Sequence, residues 1–292
     1  NFFRTIMLNN ISFSTHSLIC PDPQGSHTLA YTEWGEPDNS KVLICLHGLT
    51  RNGRDFDTLA SVLSTDYRVL CIDIAGRGQS DWLSQPENYS YETYVTDMLV
   101  LLEHLQLTQI DLVGTSMGGL IGMFLAARPA PPIRKLVMND IGALIPKTGM
   151  QRIAKYLNQP RPQFATLQEV ERYCRIVHLQ FGNLTNVQWQ NLAKHSVKAV
   201  TGGGYRLRYD PAIAIPFKGE LEDIDLWSIW EQVRCPVLVL HGEKSDLLSP
   251  QIIQEMQARH PLTQTVTFPE VGHAPPLMSE EQIAVVKSWL LS

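Results

Sequence analysis

The sequence predicts an α/β fold, a mostly parallel central sheet flanked by helices and interrupted once by an inserted helical lid. Three observations predict it. Strand-like and helix-like segments alternate from Lys41 to Asn139, which is the signature of βαβ units. The strand runs KVLICL (Lys41–Leu46) and YRVLCI (Tyr67–Ile72) are almost wholly apolar, as expected of strands covered on both faces. The alternation breaks near Ile141 and resumes at PVLVL, Pro236–Leu240.

Each element follows from its local pattern. Residues 1–15 read as a poorly patterned leader. Ser17–Cys20 and Thr28–Trp34 read as two strands, with Pro21-Asp22-Pro23-Gln24-Gly25 as the turn between them. After the run at Lys41–Leu46, a helix pattern spans about Asp55–Ser64. The strand ending at Ile72 leads through Asp73 into the glycine-rich loop Gly76-Arg77-Gly78-Gln79-Ser80-Asp81. A helix over Tyr91–Leu105 precedes the strand Ile110–Val113, and Ile133–Met138 is a further strand closing at Asn139-Asp140. After the break come a strand at Pro236–Leu240, a helix at Pro250–Arg259, a strand at Gln264–Phe268 and a helix at Glu280–Leu291. Residues 1–140 and 233–292 are therefore expected to form the core, and residues 141–232 the cap. An insertion between strands of an open sheet emerges at the carboxyl edge, where ligands bind.

Composition narrows the class. A chain of 292 residues with 44% hydrophobic and 18% charged residues can bury a large core. A net charge of -5 offers no basic surplus for nucleic acid or an anionic membrane surface. The five cysteines Cys20, Cys45, Cys71, Cys174 and Cys235 show no C-x-x-C spacing and read as buried free thiols. No stretch approaches the ~20 apolar residues of a membrane span. The N-terminal NFFRTIML lacks the build of a signal peptide. A cytoplasmic protein, monomeric or homodimeric and without cofactor or metal, is the expectation.

The chemistry centres on Gly114-Thr115-Ser116-Met117-Gly118-Gly119, between a strand and a helix pattern. A strand turning this sharply into a helix strains its central residue and lifts the Ser116 hydroxyl clear of the sheet. Glycines two before and two after leave room for the turn. The helix N-terminus there favours a developing negative charge. A serine needs a base, and the base needs a carboxylate to orient it. Among nine histidines, His273 in Val271-Gly272-His273-Ala274-Pro275 follows the last strand, in the position expected of the base. Asp246, in Gly242-Glu243-Lys244-Ser245-Asp246 after PVLVL, is the favoured acid. Asp140 at the tip of the earlier strand is its rival, and Glu243 a lesser one. The backbone amides of Met117 and Leu49 are expected to form the oxyanion hole. His47 reads as structural, and His16, His27, His104, His178, His195 and His260 as surface or cap residues. Tyr156, Phe164, Tyr173, Phe181, Trp189, Trp227 and Trp230 read chiefly as lid core, and together suggest an apolar acyl pocket.

These stretches, with Cys45-Leu46-His47-Gly48 and Asp73-Ile74-Ala75-Gly76-Arg77-Gly78-Gln79-Ser80-Asp81, resemble the α/β-hydrolase fold superfamily. The likeness is to its lidded esterases, thioesterases and carbon–carbon bond hydrolases. It covers the chain from about Thr28 to the end. Ala75 and Arg77 stand where the family usually carries proline and histidine, in what reads as a structural loop. The serine at the elbow separates the chain from similar branches that use aspartate there. The resemblance implies a serine hydrolase acting on carboxylic ester or thioester bonds of small, largely apolar acyl substrates. The alternatives are cleavage of a carbon–carbon bond in a diketone-like acid, with Arg172, Arg175, Arg206 or Arg208 as a cationic clamp, and a low-turnover binding or signalling protein.

Overall fold

Strands β1 (Phe13–Asp22) and β2 (Gly25–Trp34) form an antiparallel hairpin, registered from Phe13 opposite Trp34 to Asp22 opposite Gly25. The computed structural model describes residues 12–292. Most of the leader expected at residues 1–15 lies outside the described residues, and Phe13–Thr15 belong to β1. Strands β3 (Val42–Leu46), β4 (Arg68–Asp73), β5 (Ile110–Thr115) and β6 (Ile133–Asn139) follow in the order expected of βαβ units. The chain returns to the same sheet with β12 (Val237–Gly242) and β13 (Thr263–Phe268). The eight strands stand in the order β1-β2-β4-β3-β5-β6-β12-β13. β2 meets β4 antiparallel, and every pairing from β4 to β13 is parallel.

The apolar runs sit where two-sided burial requires them. All residues of β3 and β12 are buried, whereas the edge strand β13 is buried only at its two ends, Thr263 and Phe268. One apolar cluster includes Leu112 and Leu136 from the sheet with Leu120 and Ile121 from the helix Met117–Ala126. A second, on the opposite face, joins Val113 and Val137 to Leu59 and Leu63 from the helix Asp57–Leu63 and to Val286 and Leu290 from the helix Glu280–Leu291. Helices on both faces leave the strand ends as the open edge. The five cysteines are buried and free. His27, expected at the surface, is instead buried with its Nε2 3.0 Å from Asp97 Oδ2.

Between β6 and β12 the chain carries the helices Lys147–Leu157, Leu167–Val177 and Asn186–Ser196. Thr166 and Thr185 cap the last two, each hydroxyl accepting a backbone N–H of the first turn. Short strands accompany them: β7 (Leu144–Ile145), β8 (Gln163–Phe164), β9 (Val197–Ala199), β10 (Tyr205–Leu207) and β11 (Ile224–Asp225). They form two small sheets, β8-β10-β9 and β11-β7, too short to show as strand runs in the sequence.

Candidate active site

Ser116 stands between β5 and the helix Met117–Ala126 with φ 52° and ψ −115°. This is outside the regions comfortable for a residue with a side chain, and such strain costs about 1–3 kcal/mol. The neighbouring glycines permit it. A Cβ on Gly114 would lie 2.3 Å from the Gly118 carbonyl carbon, and one on Gly118 would lie 2.1 Å from the Leu46 oxygen. Ser116 N–H donates to the Asn139 carbonyl at 2.9 Å, tying the elbow to the tip of β6.

His273 brings the two ends of the site together. Its Nε2 lies 2.9 Å from Ser116 Oγ, and its Nδ1 lies 2.8 Å from Asp140 Oδ2. Because the carboxylate can only accept, Nδ1 carries the proton and Nε2 is left to receive one from the serine. The loop holding His273 is anchored from several sides. Asn139 Nδ2 donates to the Pro275 carbonyl at 2.8 Å, and Gln180, from the inserted segment, accepts the His273 N–H at 3.2 Å.

The carboxylate that meets His273 is thus that of Asp140, and the favoured Asp246 lies away from the imidazole. Asp246 is exposed and forms a two-pronged ion pair with Arg152, one prong of 3.0 Å to Nη2. The reason lies two residues on. Leu247 and Leu248 are buried, which fixes the turn so that Ser245 faces inward and Asp246 outward. Ser245 Oγ donates to Asp140 Oδ2 at 2.6 Å and the Gly242 N–H donates to Oδ1 at 2.7 Å. Glu243 is exposed and accepts the Glu270 N–H. Asp140, which directly follows β6 with φ 57°, is fully buried.

Leu49 and Met117 line the same cavity as Ser116. Among the described residues neither backbone amide meets an acceptor. Met117 N–H is the first of the helix, where no intrahelical partner exists. Gly48 brings the other loop close, since a Cβ there would lie 3.8 Å from Ser116 Cβ. His47 holds that loop in place. It donates through Nδ1 to the Gly48 carbonyl at 2.7 Å and accepts the Ile74 N–H on Nε2 at 3.0 Å. Burial, helped by the Arg77 and Arg51 charges, pushes its pKa down to about 3, so it stays neutral and structural.

The cavity has a volume of about 500 Å³. Its walls include Leu120, Ile141, Ile145, Met150 and Ile153, together with Tyr91 and Tyr94. An apolar cavity of this kind suits a small acyl group. None of the seven lid aromatics named from the sequence lines it, and neither does Arg172, Arg175, Arg206 or Arg208. The cation that does line it is Arg77. Sequence reasoning placed Arg77 in a structural loop and passed over Asn139, Gln180 and Ser245. Asn139 and Ser245, each adjacent to a candidate acid, carried a signal, and Gln180 carried none.

Comparison with known proteins agrees with this architecture. Residues 41–277 match the model of the alpha/beta hydrolase fold family. A 3-hydroxybutyrate-oligomer hydrolase of Cupriavidus necator is 44% identical over 92% of this chain and 95% of its own. A 2-(acetamidomethylene)succinate hydrolase of Mesorhizobium japonicum is 26% identical over 82% of this chain and 83% of its own. A solved alpha/beta hydrolase from Novosphingobium aromaticivorans superposes with a TM-score of 0.85 at 33% identity, covering 97% of this chain and 99% of that one. The chain belongs to the alpha/beta hydrolase fold family.

Proposed function

We propose that the protein is a serine hydrolase that cleaves carboxylic esters of short hydroxy acids through an acyl-enzyme on Ser116. The observation that carries this reading is the continuous relay from Ser116 Oγ to His273 Nε2 and from His273 Nδ1 to Asp140, at the wall of an apolar cavity. In the first half-reaction His273 takes the Ser116 proton as Oγ attacks the ester carbonyl. The carbonyl oxygen becomes an oxyanion between the Met117 and Leu49 amides. Collapse breaks the carbon–oxygen bond, and His273 gives the proton to the departing alkoxide. In the second half-reaction His273 takes a proton from water, hydroxide character develops toward the acyl carbon, and Ser116 leaves with the proton returned. Asp140 holds the ring in the tautomer that both steps need.

The choice of hydroxy-acid esters rests on the relative of 44% identity, whose name specifies a 3-hydroxybutyrate-oligomer hydrolase. The cavity volume of about 500 Å³ accommodates a short acyl chain and a short alcohol together. The test is turnover of 3-hydroxybutyrate dimer and trimer, and of p-nitrophenyl butyrate, by wild-type protein and Ser116→Ala. Wild type should hydrolyse all three and carry a fluorophosphonate adduct on Ser116. Undiminished turnover in Ser116→Ala would sink the reading.

A further inference from the structure

Arg77 is a charge without a counter-charge. It is fully buried, yet among the described residues no carboxylate lies within ion-pair reach of its guanidinium. Its Nε donates to the Leu49 carbonyl at 2.8 Å, and Nη1 donates to the Ala75 carbonyl at 2.7 Å and the Tyr94 hydroxyl at 2.9 Å. Nη2 meets only the Met117 thioether sulfur, at 3.6 Å. A thioether is a weak acceptor, so the two donors of Nη2 have no oxygen to bind. The nearby Asp210 carboxylate is engaged elsewhere, by the Tyr89 hydroxyl at 2.6 Å and the Ala212 N–H at 2.9 Å. The faces of Tyr89 and Tyr94, at 5.6 and 5.3 Å, soften the burial without neutralising it.

We propose that Arg77 recognises the free carboxylate of the substrate, binding it through Nη2 once the Met117 thioether that covers that nitrogen swings aside into the cavity that holds Ser116. A buried cation left unpaired is costly, and a ligand that brings the missing charge recovers that cost on binding. Arginine suits the task because its planar fork matches a carboxylate. The charges of the other lining residues point the same way. Glu220, Glu222 and Asp223 line the cavity from an exposed segment and repel an anion there, whereas Arg77 attracts it inward. The inference rests on the serine-hydrolase reading and narrows it to esters whose leaving hydroxy acid ends in a free carboxylate. In a 3-hydroxy acid ester that carboxylate stands two carbons beyond the bond that breaks. The shortness of this arm is consistent with Arg77 touching Met117, the neighbour of the nucleophile.

The rival role for Arg77 is mechanical, since it also braces the carbonyl of Leu49. A brace would affect acidic and neutral esters alike, whereas a carboxylate reader would not. The experiment compares 3-hydroxybutyrate dimer with its methyl ester, which has the same ester bond and no charge. Affinities are measured by calorimetry on Ser116→Ala protein, where turnover plays no part. The acid should bind roughly 30-fold more tightly than the methyl ester, the range expected of a hydrogen bond to a charged group. Adding Arg77→Met should bring the two within about threefold, through loss of affinity for the acid alone. Equal affinities in Ser116→Ala protein would overturn the proposal, as would equal losses for both ligands on adding Arg77→Met. If Arg77→Met fails to fold, the comparison in the Ser116→Ala parent decides alone. Turnover of p-nitrophenyl butyrate by wild type is the separate arm. Its absence would remove the hydrolase reading and leave the carboxylate preference to stand or fall on the calorimetry.

Discussion

Ser245 Oγ stands 2.6 Å from Asp140 Oδ2, the same carboxylate oxygen that faces His273 Nδ1 at 2.8 Å. The end of β12 and the loop after it, where the sequence pattern placed the acid, supply an N–H and a hydroxyl to an acid at the tip of the neighbouring strand. The two strands are adjacent and parallel, with Leu240 paired to Asn139, so their tips open side by side and either could present the carboxylate.

Exchanging the two aspartates tests the assignment. Asp140→Asn should lower kcat/KM by about 10³–10⁴-fold, because its amide nitrogen would face His273 and force the wrong tautomer. The Gly242 N–H on the other oxygen favours that orientation of the amide. Asp246→Asn should change kcat/KM by less than about threefold and stability by under about 1 kcal/mol, as for other exposed ion pairs. Steady-state kinetics on one chromogenic ester would show both, and a large loss in Asp246→Asn would reverse the assignment.

Ser245→Ala should have a smaller and more specific effect. It removes one hydrogen bond to Asp140 Oδ2 and leaves the carboxylate in place. A drop in kcat of about tenfold with KM nearly unchanged is expected of a group that orients the orienter. A rise in KM of similar size with kcat intact would mean that Ser245 shapes the cavity instead.

Sequence and structure agree most closely where the information is local. Ser116 and its glycines form one contiguous pattern, and His273 follows the last strand of the sheet, so both could be read along the chain. The acid could not. Asp140 directly follows one strand and Asp246 lies in the loop after the next, and the choice between them depends on which side chain the buried Leu247 and Leu248 turn outward. That is a packing result with no local signature. Arg77 was opaque for a related reason. A charged residue in a glycine-rich loop reads as solvated, and its burial between Tyr89 and Tyr94 depends on how residues 89–94 fold over the loop. The small sheets between β6 and β12 were missed because strands of two or three residues carry no periodicity.

The elbow glycines give a sharp stability test. Gly118→Ala should lower stability by about 3 kcal/mol, the upper end of the overpacking range, or prevent folding, since the atom it strikes is backbone. The atom it would strike is the Leu46 carbonyl oxygen, 2.1 Å from the new Cβ. Gly48→Ala is the matched control in the facing loop. Its Cβ would make only ordinary contact, 3.8 Å from Ser116 Cβ, so its cost should stay within about 1 kcal/mol. Chemical denaturation of the two variants would rank them, and equal stability would show that the turn does not need glycine at residue 118.

The pH dependence of stability should carry the mark of His47. Its folded pKa of about 3 lies below the ordinary histidine value of 6.5. Above pH 6.5 both states are neutral and the group contributes its full stability. As pH falls from about 6.5 toward 3 the unfolded chain takes up the proton and the folded one does not, so stability is lost at up to about 1.4 kcal/mol per pH unit. His195, pushed down to about 4 by burial and by neighbouring cations, adds to the same slope over a narrower window. Asp73 works in the opposite sense. Burial raises its pKa to about 6, so the folded state takes the proton first, and lowering pH through 6 toward 3.8 relieves a buried charge. The unfolding free energy, followed by denaturant titration from pH 7 to 4, should therefore fall less steeply in His47→Gln and more steeply in Asp73→Asn than in wild type. An unchanged slope in His47→Gln would mean that the imidazole is protonated in the fold, which its acceptance of the Ile74 N–H forbids.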